Sequence, residues 1–355
     1  MYIRIQNSCK FVIHADFFEI SSDVFNKAFR FQGLNLELAA QLLKRLHEGI
    51  EEEDLFKKLS LEKNKDHIEM ARIVNFLKEK GFLINSTDLS ILPPEDALYD
   101  RQVRFFNSFE NNNFSGNTFN TKLQNRKVVI VGLGAYGSWL ALHCARLGIK
   151  HIVGIDHDEV ELSNLHRQII FTKEDIGIKK SKACAKVLTA SDDSVFFEGV
   201  CKKIEKKDDL LPYLENADLI FNAFGYYPVD EAENAISGII TKACIQTKTP
   251  MLCLSTNWIG PLYVPERSAC YFCTVMKPEV ESILKKVKKN KRIDKRAFCP
   301  IIAITCSLAA LEAVRYLSGI NEPSSIDGLR YIDPFHIEKS KFIPIEKNQN
   351  CMFCS

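Results

Sequence analysis

The sequence predicts an α/β fold in which a Rossmann-like sheet with flanking helices follows a small winged-helix-like domain. From residue 127 onward, β-type runs alternate with helical segments, a pattern typical of a parallel sheet covered on both faces. A glycine-rich turn follows the first of these runs and opens a helix. Before residue 90 the order differs, because β-type runs come first and helical segments follow.

Composition sets the broad class of the protein. The 355 residues are enough for two domains. The net charge is only +2, so neither a nucleic acid nor a membrane is expected as a partner. The longest apolar stretch, Ile301–Leu317, contains Glu312 and Arg315, and it predicts a buried helix rather than a membrane span. No signal peptide is evident at the N-terminus, and we expect a cytoplasmic protein.

The first predicted domain comprises residues 1–90. Its two β-type runs, Tyr2–Ile5 and Phe11–Ile20, predict a hairpin across Asn7 and Ser8. Three helices and a short strand are expected after it: Asn35–Leu46 with Asn35 as N-cap, Glu51–Leu59, Lys65–Gly81 and the strand Phe82–Ile84. Residues 91–120 predict a linker and an arginine-bearing segment, in which the polar stretch 107–120 is expected to lack fixed structure. The second domain, with the nucleotide motif, comprises residues 121–355.

The glycine-rich turn predicts a nucleotide site. Gly132, Gly134 and Gly137 follow a strand and open a helix, so backbone N–H groups and the helix N-terminus can approach a phosphate. Asp156 ends the next strand, where its carboxylate can accept hydrogen bonds from ribose hydroxyls. By themselves these residues are typical of NAD or FAD enzymes, and a tight turn that binds nothing is the alternative.

The residues that follow this turn narrow the choice among nucleotide-binding families. Residues 155–168 read IDHDEVELSNLHRQ, and D-I-G at 175–177 precedes Lys180. From Leu98 onward the chain resembles the ThiF/MoeB-type, ubiquitin-activating-type adenylating enzymes, whose motifs run G-x-G-x-x-G, D-x-D-x-V-x-x-S-N-L-x-R-Q and G-x-x-K. The resemblance implies an ATP site with these residue roles: Asp156 holds the ribose, Arg167 and Lys180 are catalytic and neutralise the triphosphate, and Asn164 and Gln168 line the pocket. Such cations offset the charge that develops when the α-phosphorus is attacked.

Two further features are interpreted through the same resemblance. Residues 98–102, LYDRQ, are similar to the family's Y-x-R-Q segment, which implies that Arg101 reaches the ATP site of the neighbouring subunit in a two-fold homodimer. Arg104 is a second candidate for this role. Gly225 stands where the family has a magnesium-binding aspartate. Because Mg²⁺ prefers carboxylate oxygens, we expect the ion to be held by Asp230, by Asn222 or mainly by the phosphates of ATP.

Two C-x-x-C pairs predict a structural zinc site, formed by Cys270, Cys273, Cys351 and Cys354. Four thiolates make a closed tetrahedral site with no open position for catalysis; two unrelated cysteine pairs are the alternative. Cys299 is expected to pack rather than to form a thioester, because the family's thioester position falls near Arg292. The basic run Lys285–Arg296 is interpreted as a solvated loop or as a flap that captures an acidic peptide; a nucleic-acid patch is the third alternative, and the run lacks the interleaved aromatic residues expected for it.

The two predicted domains together resemble the adenylating enzymes that mature ribosomally made peptides, such as those of microcin C and pantocin A. This implies that the first domain is a RiPP recognition element, which binds a leader peptide beside an exposed strand; a domain that only supports dimerisation is the alternative. We therefore predict ATP-dependent activation of a carboxyl or carboxamide group in a ribosomally made precursor peptide, with glutamate side-chain activation and ring formation favoured. The alternatives are nucleotidyl transfer to a peptide C-terminus, sulfur-carrier-protein adenylation, a non-catalytic peptide-binding scaffold and an oxidoreductase.

Overall fold

The computed structural model describes residues 2–22, 24, 26–61, 65–86, 97–289, 297–326, 328–333 and 335–355. The chain divides into two compact units, Met1–Thr121 and Lys122–Ser355. Each unit has its own buried apolar core, and each is described by itself.

The described residues of the first unit form six strands in two small sheets. The strands are β1 (Tyr2–Ile5), β2 (Cys9–Ile13), β3 (Phe17–Ser22), β4 (Lys27–Gln32), β5 (Ile50–Glu51) and β6 (Leu83–Ser86). All pairs are antiparallel, in the orders β5-β1-β6 and β2-β3-β4. The predicted hairpin across Asn7 and Ser8 is therefore wrong. Ile3 and Ile5 are buried in the core of the unit, so β1 pairs with β6 instead of with its neighbour in sequence.

The three predicted helices of the first unit form close to the predicted bounds, and two helices that were not predicted follow them. They are α1 (Leu36–Glu48), α2 (Glu52–Leu61), α3 (Lys65–Glu79), α4 (Asp100–Asn107) and α5 (Gly116–Gln124), which ends just past the unit boundary. The predicted N-cap is confirmed, because the Asn35 side chain accepts a hydrogen bond from the Leu38 amide at 3.2 Å. The expectation of an unstructured stretch over 107–120 is wrong at its end: Asn107 Oδ1 accepts from the Gly116 amide at 2.7 Å and fixes the start of α5.

A buried ion pair joins β1 to the residues after α4. Arg4 Nη1 donates to Glu110 Oε1 at 2.8 Å, and Arg4 Nη2 donates to the second carboxylate oxygen. Glu110 Oε1 also accepts from the Asn7 amide at 2.8 Å. Arg4 and Glu110 are both almost fully buried, so residues on either side of position 90 contribute to one unit.

The second unit contains one mixed sheet of eight strands among its described residues. These are β7 (Lys127–Val131), β8 (His151–Ile155), β9 (Phe196–Val200), β10 (Leu219–Asn222), β11 (Met251–Ser255), β12 (Trp258–Tyr263), β13 (Gly328–Tyr331) and β14 (Lys341–Pro344). Their order is β14-β13-β12-β11-β10-β7-β8-β9. The strands from β11 to β9 are parallel to one another, and β12, β13 and β14 are antiparallel to their neighbours.

Helices flank this sheet, which confirms the predicted α/β fold of the second unit. They are α6 (Ala135–Arg146), α7 (Lys180–Leu188), α8 (Leu211–Leu214), α9 (Val229–Ala232), α10 (Ile236–Thr247), α11 (Tyr271–Val275), α12 (Pro278–Lys289) and α13 (Cys299–Ser318). Within the described ranges, α13 alone is long and apolar enough to cross a membrane; 56% of its apolar window is buried, and it packs against α6, as a core helix does. Because β7, β8, β10 and β11 are parallel, the turns that follow them meet at one edge of the sheet.

Candidate functional site

The glycine-rich turn between β7 and α6 depends on two of its glycines. Gly132 has φ +81°, in the left-handed region that favours glycine. A Cβ on Gly137 would lie 1.8 Å from the Gly132 carbonyl oxygen, so no larger residue fits there without a shift of the backbone. The turn therefore brings α6 against its own strand and leaves the helix N-terminus at the carboxyl edge of the sheet, where an anion can approach the backbone amides.

Asp156 fixes this turn from the neighbouring strand. One carboxylate oxygen accepts a hydrogen bond from the Leu133 amide at 2.7 Å, and the other accepts from the Asp158 amide at 2.8 Å. Only 7% of the residue is exposed. Each oxygen still has a lone pair for a further donor, so the predicted contact with ribose hydroxyls is compatible with the role that the carboxylate already has in holding the loop.

Two of the predicted catalytic cations lie on the segments that follow β8. Lys180 opens α7, and its Nζ lies 3.1 Å from Asp158 Oδ2, with 7% of the lysine side chain exposed. Arg167 Nη1 donates to the Ser163 carbonyl at 2.5 Å, and the Arg167 carbonyl accepts from Trp139 Nε1 on α6 at 3.2 Å. The Lys180 ammonium group is thus held by the carboxylate of Asp158, to which the sequence analysis assigns no role.

Asn164 and Gln168 are both buried, as pocket-lining residues are expected to be. Asn164 Oδ1 accepts from the Glu161 amide at 3.2 Å and shapes the loop. Gln168 lies beside the turn, because a Cβ on Gly134 would be 3.8 Å from Gln168 Nε2. Its Oε1 is buried without a hydrogen-bond partner among the described residues. A buried unpaired acceptor costs about 1–3 kcal/mol, so a ligand with a donor group, such as a nucleoside, fits this place.

Three residues bear on the predicted magnesium site: Gly225, Asn222 and Asp230. Gly225 has φ +80°, a conformation in which an aspartate would be strained. Asn222 is 1% exposed and exchanges hydrogen bonds with Ser237 in the core, so it is not available as a metal ligand. Asp230 lies exposed on α9. A magnesium ion held mainly by the phosphates of ATP stays a prediction.

The four predicted zinc ligands come together. Their sulfur atoms all lie within 4.8 Å of one another, with Cys270 Sγ 3.8 Å from Cys273 Sγ and from Cys351 Sγ, and Cys273 Sγ 3.6 Å from Cys354 Sγ. A zinc–sulfur bond of about 2.3 Å gives tetrahedral sulfur–sulfur edges of about 3.8 Å. A hydrogen bond from Cys270 lowers the pKa of the Cys273 thiol, and a thiolate is the form that binds a metal. The cluster therefore fits zinc.

The remaining predicted residues are Cys299, the basic run and the two arginines of the first unit. Cys299 is half-buried as the first residue of α13. Residues 290–296 of the basic run, including the position near Arg292, lie outside the described residues. In the first unit, Arg104 Nε donates to the buried Asp100 at 2.6 Å, whereas the Arg101 side chain is 88% exposed. Arg101 Nε also lies 3.6 Å from Asp100 Oδ2, and a role of Arg101 in a neighbouring subunit stays a prediction.

The structure also assembles residues that the sequence analysis missed. Tyr136 Oη, on the first turn of α6, lies 2.6 Å from Thr256 Oγ1, just after β11. The neighbouring Ser255 Oγ would be 3.1 Å from a Cβ on Gly225. The Phe224 ring lies over the glycine turn, 2.8 Å from the position of a Cβ on Gly132. No local motif marks these residues, because their meeting depends on the order of the strands.

Comparison with known proteins decides the family. A family model described as the ThiF family matches residues 99–353. The chain belongs to the ThiF family. It is 29% identical over 207 residues to the sulfur carrier protein ThiS adenylyltransferase of Escherichia coli, covering 57% of this chain and 76% of that protein. It is 25% identical over 237 residues to the sulfur carrier protein adenylyltransferase of Thermus thermophilus, covering 66% and 83%.

Solved structures show the same fold over the whole length. The crystal structure of E. coli MccB matches with a TM-score of 0.79 at 23% identity, covering 100% of this chain and 97% of that one. The structure of PaaA matches with a TM-score of 0.70 at 19% identity, covering 96% and 99%. MccB has been crystallised with ATP and with MccA. The predictions of a ThiF/MoeB-type fold and of an ATP-dependent adenylating enzyme are confirmed, and the oxidoreductase alternative is set aside.

Proposed function

We propose that this ThiF-family enzyme uses ATP to activate a carboxyl or carboxamide group in a ribosomally made precursor peptide. The observation that carries the proposal is one edge of the sheet, which holds the glycine turn, the Asp156 carboxylate and the Lys180 cation. The Gln168 oxygen at this edge has no hydrogen-bond partner among the described residues. These groups supply what a bound nucleotide triphosphate needs: amides for phosphate, an acceptor for ribose, positive charge and a buried acceptor.

The chemistry is an in-line displacement at the α-phosphorus of ATP. An oxygen of the acceptor's carboxyl group forms a bond to that phosphorus, and the bond to the bridging oxygen breaks. Pyrophosphate leaves with the electron pair, and an acyl-phosphate anhydride remains for a nucleophile to displace. Lys180 and Arg167 stabilise the charge that spreads over the phosphate oxygens. Cys270, Cys273, Cys351 and Cys354 would hold a structural zinc ion, which takes no part in this step.

The first unit supplies an edge strand for a leader peptide. β3 is paired on both sides, by β2 and by β4, so of the predicted Phe11–Ile20 run only its first part lies in an edge strand. We place the peptide at β4, which pairs only with β3 among the described residues. Phe29 and Phe31 of β4 contact the Phe76 ring of α3 at centroid distances of 5.0 and 5.5 Å. An edge strand beside an aromatic helix face suits the addition of an extended chain.

MccB supports the peptide part of the proposal, because its whole chain shares this fold and it has been crystallised with MccA. Between the two outcomes, we favour activation of a glutamate side chain with ring formation over nucleotidyl transfer to a peptide C-terminus. The support is Gly225, which stands where the ordinary adenylation site has an aspartate. Its backbone is left-handed, a conformation that favours glycine over aspartate. The two outcomes differ in mass: the first removes water from the peptide, and the second adds a nucleotide.

The proposal is tested by offering two acceptors, the MccA peptide and the ThiS protein, with ATP. We expect AMP and pyrophosphate with the peptide and none above background with ThiS. Lys180→Ala should lower the rate by about 10²-fold, the scale of losing one preorganised charge. Lys182→Ala is the matched control, because Lys182 lies exposed on the same helix. Turnover of ThiS instead of peptide would favour the sulfur-carrier alternative, and ADP as the product would exclude adenylation.

The peptide-binding edge is tested with two neighbouring prolines in β4, Lys27→Pro and Ala28→Pro. Both side chains are exposed. In an antiparallel edge strand successive amides point alternately to the partner strand and away from it. One proline should therefore lower the melting temperature, and the other should weaken MccA binding at unchanged melting temperature and ATP affinity, as measured by calorimetry. Unchanged MccA binding in both variants would contradict the β4 assignment.

A further inference from the structure

Two hydroxyl side chains meet at the carboxyl edge of the sheet, on the opposite side of the glycine turn from Asp156, and a third hydroxyl belongs to the adjacent residue. Tyr136 Oη lies 2.6 Å from Thr256 Oγ1, and Ser255 precedes Thr256 at the end of β11. In the strand order β11-β10-β7-β8, these hydroxyls stand at the β11 end and Asp156 at the β8 end. The glycine turn after β7 lies between them.

The hydroxyl cluster, Tyr136, Ser255 and Thr256, is accessible, and the backbone of Tyr136 is held in place. Thr256 is exposed, and Ser255 and Tyr136 are half-buried. The Tyr136 backbone belongs to the first turn of α6, and its carbonyl accepts from Cys306 Sγ of α13 at 3.5 Å. In the same loop Asn257 has φ +67°, and its Oδ1 is buried without a hydrogen-bond partner among the described residues. The loop after β11 thus carries polar groups, the hydroxyls and Asn257 Oδ1, that can hydrogen-bond a ligand.

Gly225 leaves the way to these hydroxyls open. It follows β10, the strand between β7 and β11. A Cβ at this position would already be 3.1 Å from Ser255 Oγ, so a longer side chain would fill the space between the glycine turn and the serine. Gly225, which departs from the family pattern, therefore lies beside the hydroxyl cluster.

We infer that Tyr136, Ser255 and Thr256 form the subsite that holds the acyl group of the acceptor against the α-phosphorus; this inference rests on the proposed function. With the ribose at Asp156 and the phosphates at the glycine turn, the acceptor approaches from the remaining side of the turn, along β10 and β11. Hydroxyls donate to the carbonyl oxygen that does not attack, and they also accept from an N–H group. The attacking oxygen bonds to phosphorus as pyrophosphate leaves.

The chemistry of this subsite bears on substrate class. Its three side chains carry no charge, so they hydrogen-bond a carboxamide as well as a carboxylate. A guanidinium or ammonium group would instead favour the carboxylate. The subsite accordingly accommodates both acyl groups, and the part of the peptide bound elsewhere selects the residue that is activated.

The test uses two nucleotide probes that need no knowledge of the peptide. The probe 5′-O-sulfamoyladenosine carries the nucleoside and a sulfamoyl group in place of the α-phosphate, and 5′-O-(N-acetylsulfamoyl)adenosine adds one acyl group. We expect the full-length protein to bind the acetyl probe more tightly. Tyr136→Phe and Thr256→Val each remove a hydroxyl and should reduce this preference about five- to tenfold, the effect of one neutral hydrogen bond. Tyr316→Phe is the control, because Tyr316 lies beside Arg126 and Asp218 at the opposite edge of the sheet.

The results distinguish a failure of the acyl subsite from a failure of the proposed function. If the acetyl preference falls in both variants and persists in Tyr316→Phe, the acyl subsite is supported. If sulfamoyladenosine does not bind the wild type at all, the proposed function itself fails. If it binds, and the variants keep the full acetyl preference or lose affinity for both probes equally, the subsite is wrong while the nucleotide site stands. Melting temperatures of all variants, compared with wild type, show that the fold is retained.

Discussion

Asp156→Ala should release the glycine turn as well as weaken ATP binding. The carboxylate accepts two backbone hydrogen bonds, from Leu133 and Asp158, and bonds to a charged acceptor contribute about 1.5–3 kcal/mol each. Leu133 is fully buried, so its amide is left without water when the carboxylate is removed. We therefore expect the turn to open more easily by about 3 kcal/mol, which corresponds to about 10²-fold less protection of its amides from hydrogen exchange.

The assay is hydrogen exchange followed by mass spectrometry on peptides covering residues 131–137, combined with calorimetric titration of ATP. Asp156→Asn is informative because the amide offers one oxygen and places an NH₂ group against the other backbone donor, so its protection should be intermediate. Asp193→Ala, an exposed carboxylate, serves as control. Wild-type protection and ATP affinity in Asp156→Ala would refute the view that this carboxylate supports the turn.

Three further outcomes concern other parts of the molecule. Cys351→Ser should remove bound zinc, measured by elemental analysis, and lower the melting temperature, since structural zinc contributes on the order of 10 kcal/mol; retained zinc would exclude this ligand. Gly137→Ala should lower the melting temperature because its Cβ meets a carbonyl at 1.8 Å, whereas Gly134→Ala, with its nearest contact at 3.8 Å, should not; equal melting curves would contradict this. Mixing Arg101→Ala with Lys180→Ala chains should restore part of the peptide-dependent pyrophosphate release, because one of two shared sites is then intact; inactive heterodimers would show that Arg101 does not act across subunits.

The sequence was sufficient where the determinants are close together in the chain. The glycine spacing predicts the turn at Gly132 because strand, turn and helix are consecutive, and Asn35 predicts the start of α1 because a cap acts within three residues. The Cys270 and Cys351 pairs were also recognisable, although they lie far apart, because each C-x-x-C unit is a local motif and sulfur has few other uses at that spacing.

Prediction failed where non-local pairing decides the structure. β1 looked like the first arm of a hairpin, but the burial of Ile3 and Ile5 directs it to β6. Asn107 looked like the start of a polar loop, but its side chain caps α5 at Gly116. Tyr136 and Thr256 are 120 residues apart, and only the order β11-β10-β7 brings their hydroxyls together. Asn222 looked like a possible metal ligand, and its burial became apparent only with the packing of α10.

The position of β1 has a consequence for the order of folding. Its partner β6 begins at Leu83, and its arginine pairs with Glu110, so nearly every stabilising contact of this strand closes a long loop. Contacts of high sequence separation are slow to form, whereas α1 to α3 and the β2-β3-β4 sheet depend on near neighbours. We expect the first strand of the chain to join its unit late, after the helices have packed, and to set the slowest step in the folding of that unit.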